Sequence, residues 1–364
     1  MPEIVETLKF KVKVLSPLHI GCGEDLDPMG YVVSKGTLYV ITLDRLLESV
    51  KKDSVAAINA AARDRQLGRL RAAIKNAFEN REDDSCIVRQ ATVSESFHDI
   101  YEKEIGKDIV NNALGFKQHI STMGKPYIPG SSLKGTIRTG ILELAFNSNF
   151  NIDDEKRKQL DNERDVRIIE AELMGYAVTF GNRRKPDIKL DPFKLMKPRD
   201  SFLPEKSTEV CMVYNKNKTG KEKGIPIIME VVREGVEFEV EIVLAAYGEA
   251  GKKAVFSRAR FLKALDFCSE KTKEKAVFEK NRILAYSGLN DSQKKTAAAC
   301  YDKVSNAEGT VLRLGYGSGY DFTAVKGFRF MKEPVKGKPG MGWGYSKNLT
   351  ETGMPLGFIS LLEG

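Results

Sequence analysis

The chain has 364 residues, 41% of them hydrophobic, and its 58 Lys plus Arg against 50 Asp plus Glu give a formal charge of +8 and a pI near 9.0. That length buries a substantial core and suggests two domains, and the basic balance suits a nucleic-acid partner. No apolar run is long enough to span a bilayer and the opening MPEIVETLKF lacks a signal peptide's apolar stretch, so the expectation is a cytoplasmic protein with no membrane partner.

Five scattered cysteines, Cys22, Cys86, Cys211, Cys268 and Cys300, never fall in C-x-x-C spacing, and His19, His98 and His119 are well separated. The pattern argues against a zinc site, a disulfide framework and a metal cofactor; no cofactor is expected.

In chain order, Leu8, Phe10, Val12 and Val14 alternate with Lys9, Lys11 and Lys13, the period of a half-buried strand with a basic outer face. It runs into S-P-L-H-I-G-C-G-E at 16–24, where Gly21 and Gly23 make a flexible loop that lets a ligand approach the backbone. Residues 31–33 and 37–41 flank Ser-Lys-Gly and read as a hairpin, with Asp44 as N-cap of a helix through Val50. From 54 to about 82 the chain is rich in Ala, Arg, Leu and Lys and reads as a helical insertion. Strands are expected at 87–93 and 114–121.

The stretch 124–142, GKPYIPGSSLKGTIRTGIL, reads as strand, glycine turn and helix start. Pro126 and Pro129 enforce extended backbone before them, Gly130 permits a sharp turn, and Ser131 or Ser132 N-caps a helix whose Leu133, Ile137, Ile141 and Leu144 face inward. Lys134 and Arg138 share another face near the N-terminus, where free N–H groups, the helix dipole and two cations favour an anion. The 130–135 spacing imitates a P-loop, but Thr136 stands where the phosphate-binding Lys belongs, so a nucleotide triphosphatase is excluded.

Residues 151–174 carry dense mixed charge and read as an exposed helix. The turn-rich segment 191–202 marks a domain junction. Strands at 209–214 and 225–232 flank a polar, basic loop at 215–224; Phe238, Val240 and Ile242 alternate with Glu237, Glu239 and Glu241 in a further strand, and a helix covers 257–285. A strand then enters G-Y-G-S-G-Y at 315–320. Tyr320 occupies the third glycine's place in G-x-G-x-x-G and too little chain follows for a dinucleotide fold. What is left is a glycine loop, Gly315, Gly317, Ser318 and Gly319, that offers amides to phosphates, with Tyr316 and Tyr320 available to stack on bases.

Together these features fit an α+β protein of two ferredoxin-like (RRM-like) domains, 1–190 and 191–364, with a helical insertion near 44–82 in the first, binding single-stranded RNA through His19, Gly21, Gly23, Ser131, Ser132, Lys134, Arg138 and the glycine loop.

The stretches P-L-H-I-G-C-G at 17–23 with Asp27-Pro28, Y-I-P-G-S-S-L-K-G at 127–135 with Arg138, Asp191-Pro192-Phe193 and the late glycine loop resemble the RAMP superfamily of CRISPR-associated proteins. Their order and spacing are most similar to the fifth-subunit family of the type III-A Csm effector complex. The resemblance implies a non-catalytic subunit at the head of the complex. It would cap the backbone filament near the crRNA 3′ end, touch a neighbouring RAMP backbone subunit and other Csm subunits, and assist crRNA maturation with nucleases. Asp25 and Asp27 lie where related backbone subunits carry a cleaving aspartate, but the Asp27-Pro28 pattern resembles the capping subunit. The competing expectation is a metal-independent RAMP endoribonuclease with His19 as general base and Lys134 or Arg138 stabilising developing charge. A third is a protein-only scaffold, whose basic stretches are merely solvated.

Overall fold

The computed structural model describes residues 4–108, 114–147, 166–217, 225–246, 258–323 and 346–364. The alternating strand β1 (Ile4–Val14) is the centre of a five-stranded antiparallel sheet, between β15 (Glu237–Ala246) and β18 (Phe358–Glu363), with β11 (Met196–Pro198) and β16 (Thr310–Arg313) at the edges. Register explains the two alternations at once. Lys9, Lys11 and Lys13 stand opposite Glu241, Glu239 and Glu237, and Lys13 pairs with Glu237 at 3.0 Å. Opposite charges therefore line the wet face, while Leu8, Phe10, Val12, Phe238, Val240 and Ile242 point inward. That apolar face is covered by α5 (Gly130–Asn147), through Leu133, Ile137 and Ile141, and by α7 (Arg258–Leu284), through Phe261 and Leu265. Each such buried side chain contributes roughly 1.5–3 kcal/mol.

The second sheet runs β2 (Gly21–Leu26), β6 (Phe116–His119), β14 (Ile227–Val232), β13 (Thr208–Asn217), β5 (Ile87–Val93), β4 (Thr37–Ile41), β3 (Tyr31–Ser34), with β17 (Ser346–Thr350) beside the far end of β13. Its two faces are both covered. Tyr31, Val33 and Leu38 pack on Phe97 and Tyr101 of α4 (Glu95–Glu104). Val32 and Ile41 pack the other way, onto α1 (Leu43–Glu48), α2 (Lys52–Arg63) and α3 (Leu67–Glu79), which lie between the hydrogen-bonded neighbours β4 and β5. Both of these sheets draw strands from either side of residue 190.

Several local expectations need correction. Thr42, not Asp44, is the residue before α1, and Asp44 sits inside its first turn. The strand expected at 114–121 is shorter, β6, with Ser121 opening the separate β7 (Ser121–Thr122), while β8 (Lys125–Ile128) is the strand expected before Gly130. Of the charged stretch 151–174, residues 151–165 lie outside the described ones; α6 (Val166–Leu173) is amphipathic and buries Ile169, Ala171 and Leu173 rather than standing exposed. The turn-rich segment 191–202 carries Phe193 and Met196 into the main core and buries Leu195 beside them. Residues 215–217 of the expected basic loop continue β13 and pair with β17; 218–224 lie outside the described residues.

One carboxylate ties four elements together. Glu279 of α7 is fully buried and meets Arg313 of β16 at 2.6 Å, Lys347 of β17, and the Tyr301 hydroxyl of α8 (Asp291–Asn306), which donates to it at 3.0 Å. Arg313 is held between the rings of Phe322 and Phe358, 4.7 and 4.5 Å from their centroids. Burial alone would raise the Glu279 pKa, but Arg313 and Lys347 outweigh it and leave it below the ordinary 4.5. Glu279→Gln strands two buried cations, so the urea midpoint should fall by the equivalent of about 3–5 kcal/mol with an unchanged m-value. In the unchanged chain, this contribution should persist at neutral pH and be lost as pH falls through the lowered pKa; an equal midpoint for both proteins at neutral pH contradicts the assignment.

Candidate functional site

The segment after β1 is not a flexible loop. Residues 16–20 are buried because nearly all their backbone groups are engaged. Leu18 exchanges two hydrogen bonds with Val232, Gly357 N–H donates to the Pro17 carbonyl at 2.9 Å, and Ile120 N–H donates to the Ile20 carbonyl at 2.8 Å. The chain surfaces only at Gly21, where β2 begins, and residues 21–25 are all exposed along that sheet edge.

The late glycine loop lands on this segment. Tyr316 N–H donates to the His19 carbonyl at 2.8 Å, and Gly315 approaches so closely that a Cβ there would collide with the same carbonyl oxygen. With φ of +78°, Gly315 also holds a backbone conformation that other residues rarely adopt. The Tyr316 ring meets the His19 imidazole edge-on, with centroids 6.1 Å apart. Gly315 and Gly319 are exposed, Tyr316 and Gly317 half-buried, and Ser318 is buried, its hydroxyl donating to the Gly315 carbonyl at 2.8 Å. The backbone of Tyr320 opens α9 (Tyr320–Thr323). The exposed Gly315 therefore lies on the segment that leads into the exposed Gly21 and Gly23, over the buried His19, although nearly three hundred residues of sequence separate loop and segment.

Beneath that surface lies a buried polar centre the sequence does not reveal. His19 Nδ1 is 2.6 Å from the Glu230 carbonyl oxygen, and the Nε2 edge faces Gly21, where a Cβ would lie 3.1 Å away. The Glu230 side chain, also fully buried, is clamped by Arg89 and accepts from Thr208 Oγ1 at 2.9 Å and from the His119 backbone N–H at 3.1 Å. His119 stands edge-on to His19, 6.1 Å between centroids; its Nδ1 accepts from the Ile20 N–H at 3.3 Å and its Nε2 donates to the Tyr127 carbonyl at 3.1 Å. Burial lowers the His19 pKa despite the opposing pull of Glu230. His119 is held at about 4, by burial first, with Glu230 opposing and the neighbouring His19 and Arg89 adding to the lowering. Both rings act as neutral struts. His19 is thus poorly placed as a general base: one nitrogen is engaged and the residue is 2% exposed.

Helix α5 borders this surface through Thr136, whose hydroxyl donates to the Arg313 carbonyl at 3.2 Å just before the glycine loop. The helix starts one to two residues earlier than expected. Pro129 supplies the first carbonyl, accepting from Ser132 and Leu133, so Ser131 and Ser132 lie in the first turn and do not cap it. Gly130 N–H donates to the Asp200 carboxylate at 2.8 Å, so one of the end N–H groups expected to hold an anion already has one of the chain's own. The Gly130 position is so tight that a Cβ would collide with the Pro198 carbonyl. Ser131 is exposed and Ser132 and Lys134 half-buried. Arg138 is committed inward: it pairs with Glu170 of α6, reaches the Tyr176 hydroxyl at 3.3 Å and lies 4.7 Å over the Phe193 ring. Asp25 pairs with Lys117 at 3.2 Å, and Asp27 accepts from the Met29 N–H in a local turn. Among the described residues no cluster of His, Cys, Asp or Glu is arranged to hold a metal ion.

Two sheets with covering helices, joined by a buried histidine segment under a glycine loop, define the class. A family model described as the RAMP superfamily matches residues 11–289, and the chain belongs to that superfamily. The relatives point further. A protein of Methanocaldococcus jannaschii named CRISPR system Cms protein Csm5 is 27% identical over 241 residues, 65% of this chain and 52% of that protein, so the chain spans about half the length of the curated relative it matches. Among solved structures, a chain of a cryo-EM Csm–crRNA–target RNA ternary complex of a type III-A CRISPR-Cas system superposes with a TM-score of 0.67 at 22% identity, covering 98% of this chain and 100% of that one. The crystal structure of T. onnurineus Csm5 superposes with a TM-score of 0.60 at 20% identity, covering 96% and 99%. At those identities the likeness establishes the fold.

Because the folded chain holds His119 neutral and the unfolded chain does not, its contribution to stability is full above pH 6.5 and is lost as pH falls from 6.5 toward 4. The loss should be on the order of 3 kcal/mol, read as a falling urea midpoint across that window. His119→Gln should flatten the profile between those limits; an unchanged profile contradicts the strut role.

Proposed function

We propose that the chain is a non-catalytic, CRISPR RNA-binding subunit of a type III-A effector complex. It caps the backbone filament near the 3′ end of the crRNA and assists crRNA maturation and assembly, working in the cytoplasm without a cofactor. Its partners are crRNA, the neighbouring RAMP backbone subunit, other Csm subunits and the nucleases that finish the RNA end. The observation that carries this reading is the hydrogen bond from Tyr316 N–H to the His19 carbonyl, which ties the late glycine loop to the segment that runs into Gly21. RAMP membership and the Csm5 relative support it.

In this reading Gly21, Gly23, Gly315, Gly317 and Gly319 let the RNA backbone come close, Ser131, Ser132 and Lys134 meet phosphates, and Tyr316 and Tyr320 offer rings. His19, Ser318 and Arg138 shape the surface from beneath. The chain consists of two ferredoxin-like units divided near residue 190 that exchange strands, with the helices of 43–79 inserted in the first.

Purified chain incubated with end-labelled single-stranded repeat RNA in EDTA or magnesium should bind without cutting. Affinity should fall at least tenfold between about 50 and 200 mM salt. Cys22→Glu, which places a charge between the two exposed glycines, and Ser131→Glu should each weaken binding about tenfold. Specific cleavage in EDTA that disappears in His19→Gln would overturn the non-catalytic reading. Binding that is absent or indifferent to salt would make the chain a protein-only scaffold.

A further inference from the structure

A two-stranded hairpin, β9 (Ala177–Phe180) and β10 (Arg183–Pro186), follows α6 and joins no other sheet among the described residues. Its register assigns its faces. Phe180 stands opposite Arg183 and Val178 opposite Lys185, while Thr179 stands opposite Arg184 and Ala177 opposite Pro186. Directly opposed residues of an antiparallel pair share a face, and alternate pairs share the same one. Phe180, Arg183, Val178 and Lys185 therefore lie on one side and Thr179 and Arg184 on the other.

The two sides have different tasks. Arg184 bonds Thr179 Oγ1 at 2.9 Å and pairs with Glu172, a nearly buried carboxylate of α6, which fastens the hairpin to the body. Two residues before Glu172, Glu170 takes Arg138 of α5, so the same short helix is fixed to both the core helix and the hairpin. Asp187 N–H donates to the Tyr176 carbonyl at 2.9 Å and closes the base of the hairpin. On the opposite side Val178 is half-buried, and the residues beyond it face no partner outside the hairpin among the described residues. The Phe180 ring is 70% exposed, with Lys185 Nζ 3.9 Å from its centroid, and Arg183 and Lys185 are both exposed. Ile188 and Lys189, immediately beyond, are exposed as well.

An aromatic ring held out in water beside two cations, on a ribbon anchored by its other face, matches a nucleic-acid strand with unstacked bases. The ring offers a stacking platform, the cations offer phosphate contacts, and a duplex would hide the base faces that the ring needs. We propose that the hairpin 177–186 is a second RNA-binding element of this chain, stacking one base of single-stranded RNA on Phe180 and holding the adjoining phosphates with Arg183 and Lys185. It rests on the reading of the chain as an RNA-binding protein and extends it to residues outside the glycine loops. Arg138, which the sequence marks as a phosphate contact, serves this element by positioning α6.

The test is fluorescence anisotropy of the full chain with a 3′-labelled oligouridylate of about 20 nucleotides, beside a blunt RNA duplex of equal length. Phe180→Ala should weaken single-strand binding about tenfold and leave duplex binding unchanged, while Phe180→Trp should stay within about twofold of the unchanged chain. Arg183→Ala/Lys185→Ala should lower the slope of log affinity against log salt by about 1.4. These side chains are exposed, so thermal midpoints of all variants should match. If Phe180→Ala binds like the unchanged chain while Cys22→Glu binds weakly, the hairpin proposal falls and the RNA-binding reading stands. If Phe180→Ala weakens binding and Cys22→Glu does not, the hairpin is supported and the glycine surface loses its role. If the unchanged chain binds no RNA, both fall. If Phe180→Ala keeps full RNA affinity but loses association with the neighbouring RAMP subunit, the hairpin is a protein contact and the proposal is overturned.

Discussion

A single buried carboxylate, Glu230, sets the position of everything at the candidate surface. Taking an ionised carboxylate out of water costs several kcal/mol unless its lone pairs are filled, and here Arg89, Thr208 and the His119 N–H fill them. The bonds come from three other strands of the second sheet, β5, β13 and β6. Glu230's own carbonyl meanwhile fixes the His19 ring. The early histidine segment thus lies at a fixed height against the sheet, and the late glycine loop can close on its backbone only because that height is fixed.

A second carboxylate links the two sheets, since it holds β16 of the first and β17 of the second. Glu279 connects α7, α8, β16 and β17, and β16 runs directly into the glycine loop. The loop is therefore anchored on one flank by Arg313 and on the other by His19. Flexible as its composition looks, its buried Ser318 and the close approach of Gly315 leave it little freedom. A surface made this way presents backbone in a set shape, which suits recognition of a sugar–phosphate chain by geometry rather than by sequence.

How much of this was legible in the residues divides along a physical line. Features that depend on local period were readable: the lysine and glutamate alternations of β1 and β15, the 31–41 hairpin, and the proline-framed strand before Gly130. Features set by distant partners were not. Arg138 looks like a free cation at a helix start until Glu170 and Tyr176 come round to meet it, and Ser16 to Ile20 look like a loop until β14, β16 and β18 surround them. The buried strand β16 lacks alternation and was legible only as a short apolar run leading into the late glycine loop. Helix α8 did carry a local signal, Asn290 and Gln293 forming a reciprocal cap, that a reading by hydrophobic period passes over. The His19–His119 contact left no trace, because nothing in either neighbourhood specifies the other.

The central position of β1 also bears on how the protein is made. Its first strand-to-strand partner, β15, lies roughly 220 residues further along the chain, and β18 later still. At synthesis rates of about 5–20 residues per second, an apolar-faced strand leaves the ribosome on the order of ten seconds or more before anything exists to pair with it. During that interval its Leu, Phe and Val face is available to any other sheet edge, and only the lysines alternating along the opposite face oppose such contacts by repulsion between like strands. The same Lys–Glu ladder that decorates the finished sheet therefore also guards the nascent chain, and it selects β15, with its glutamates in matching register, as the strand that may end the wait.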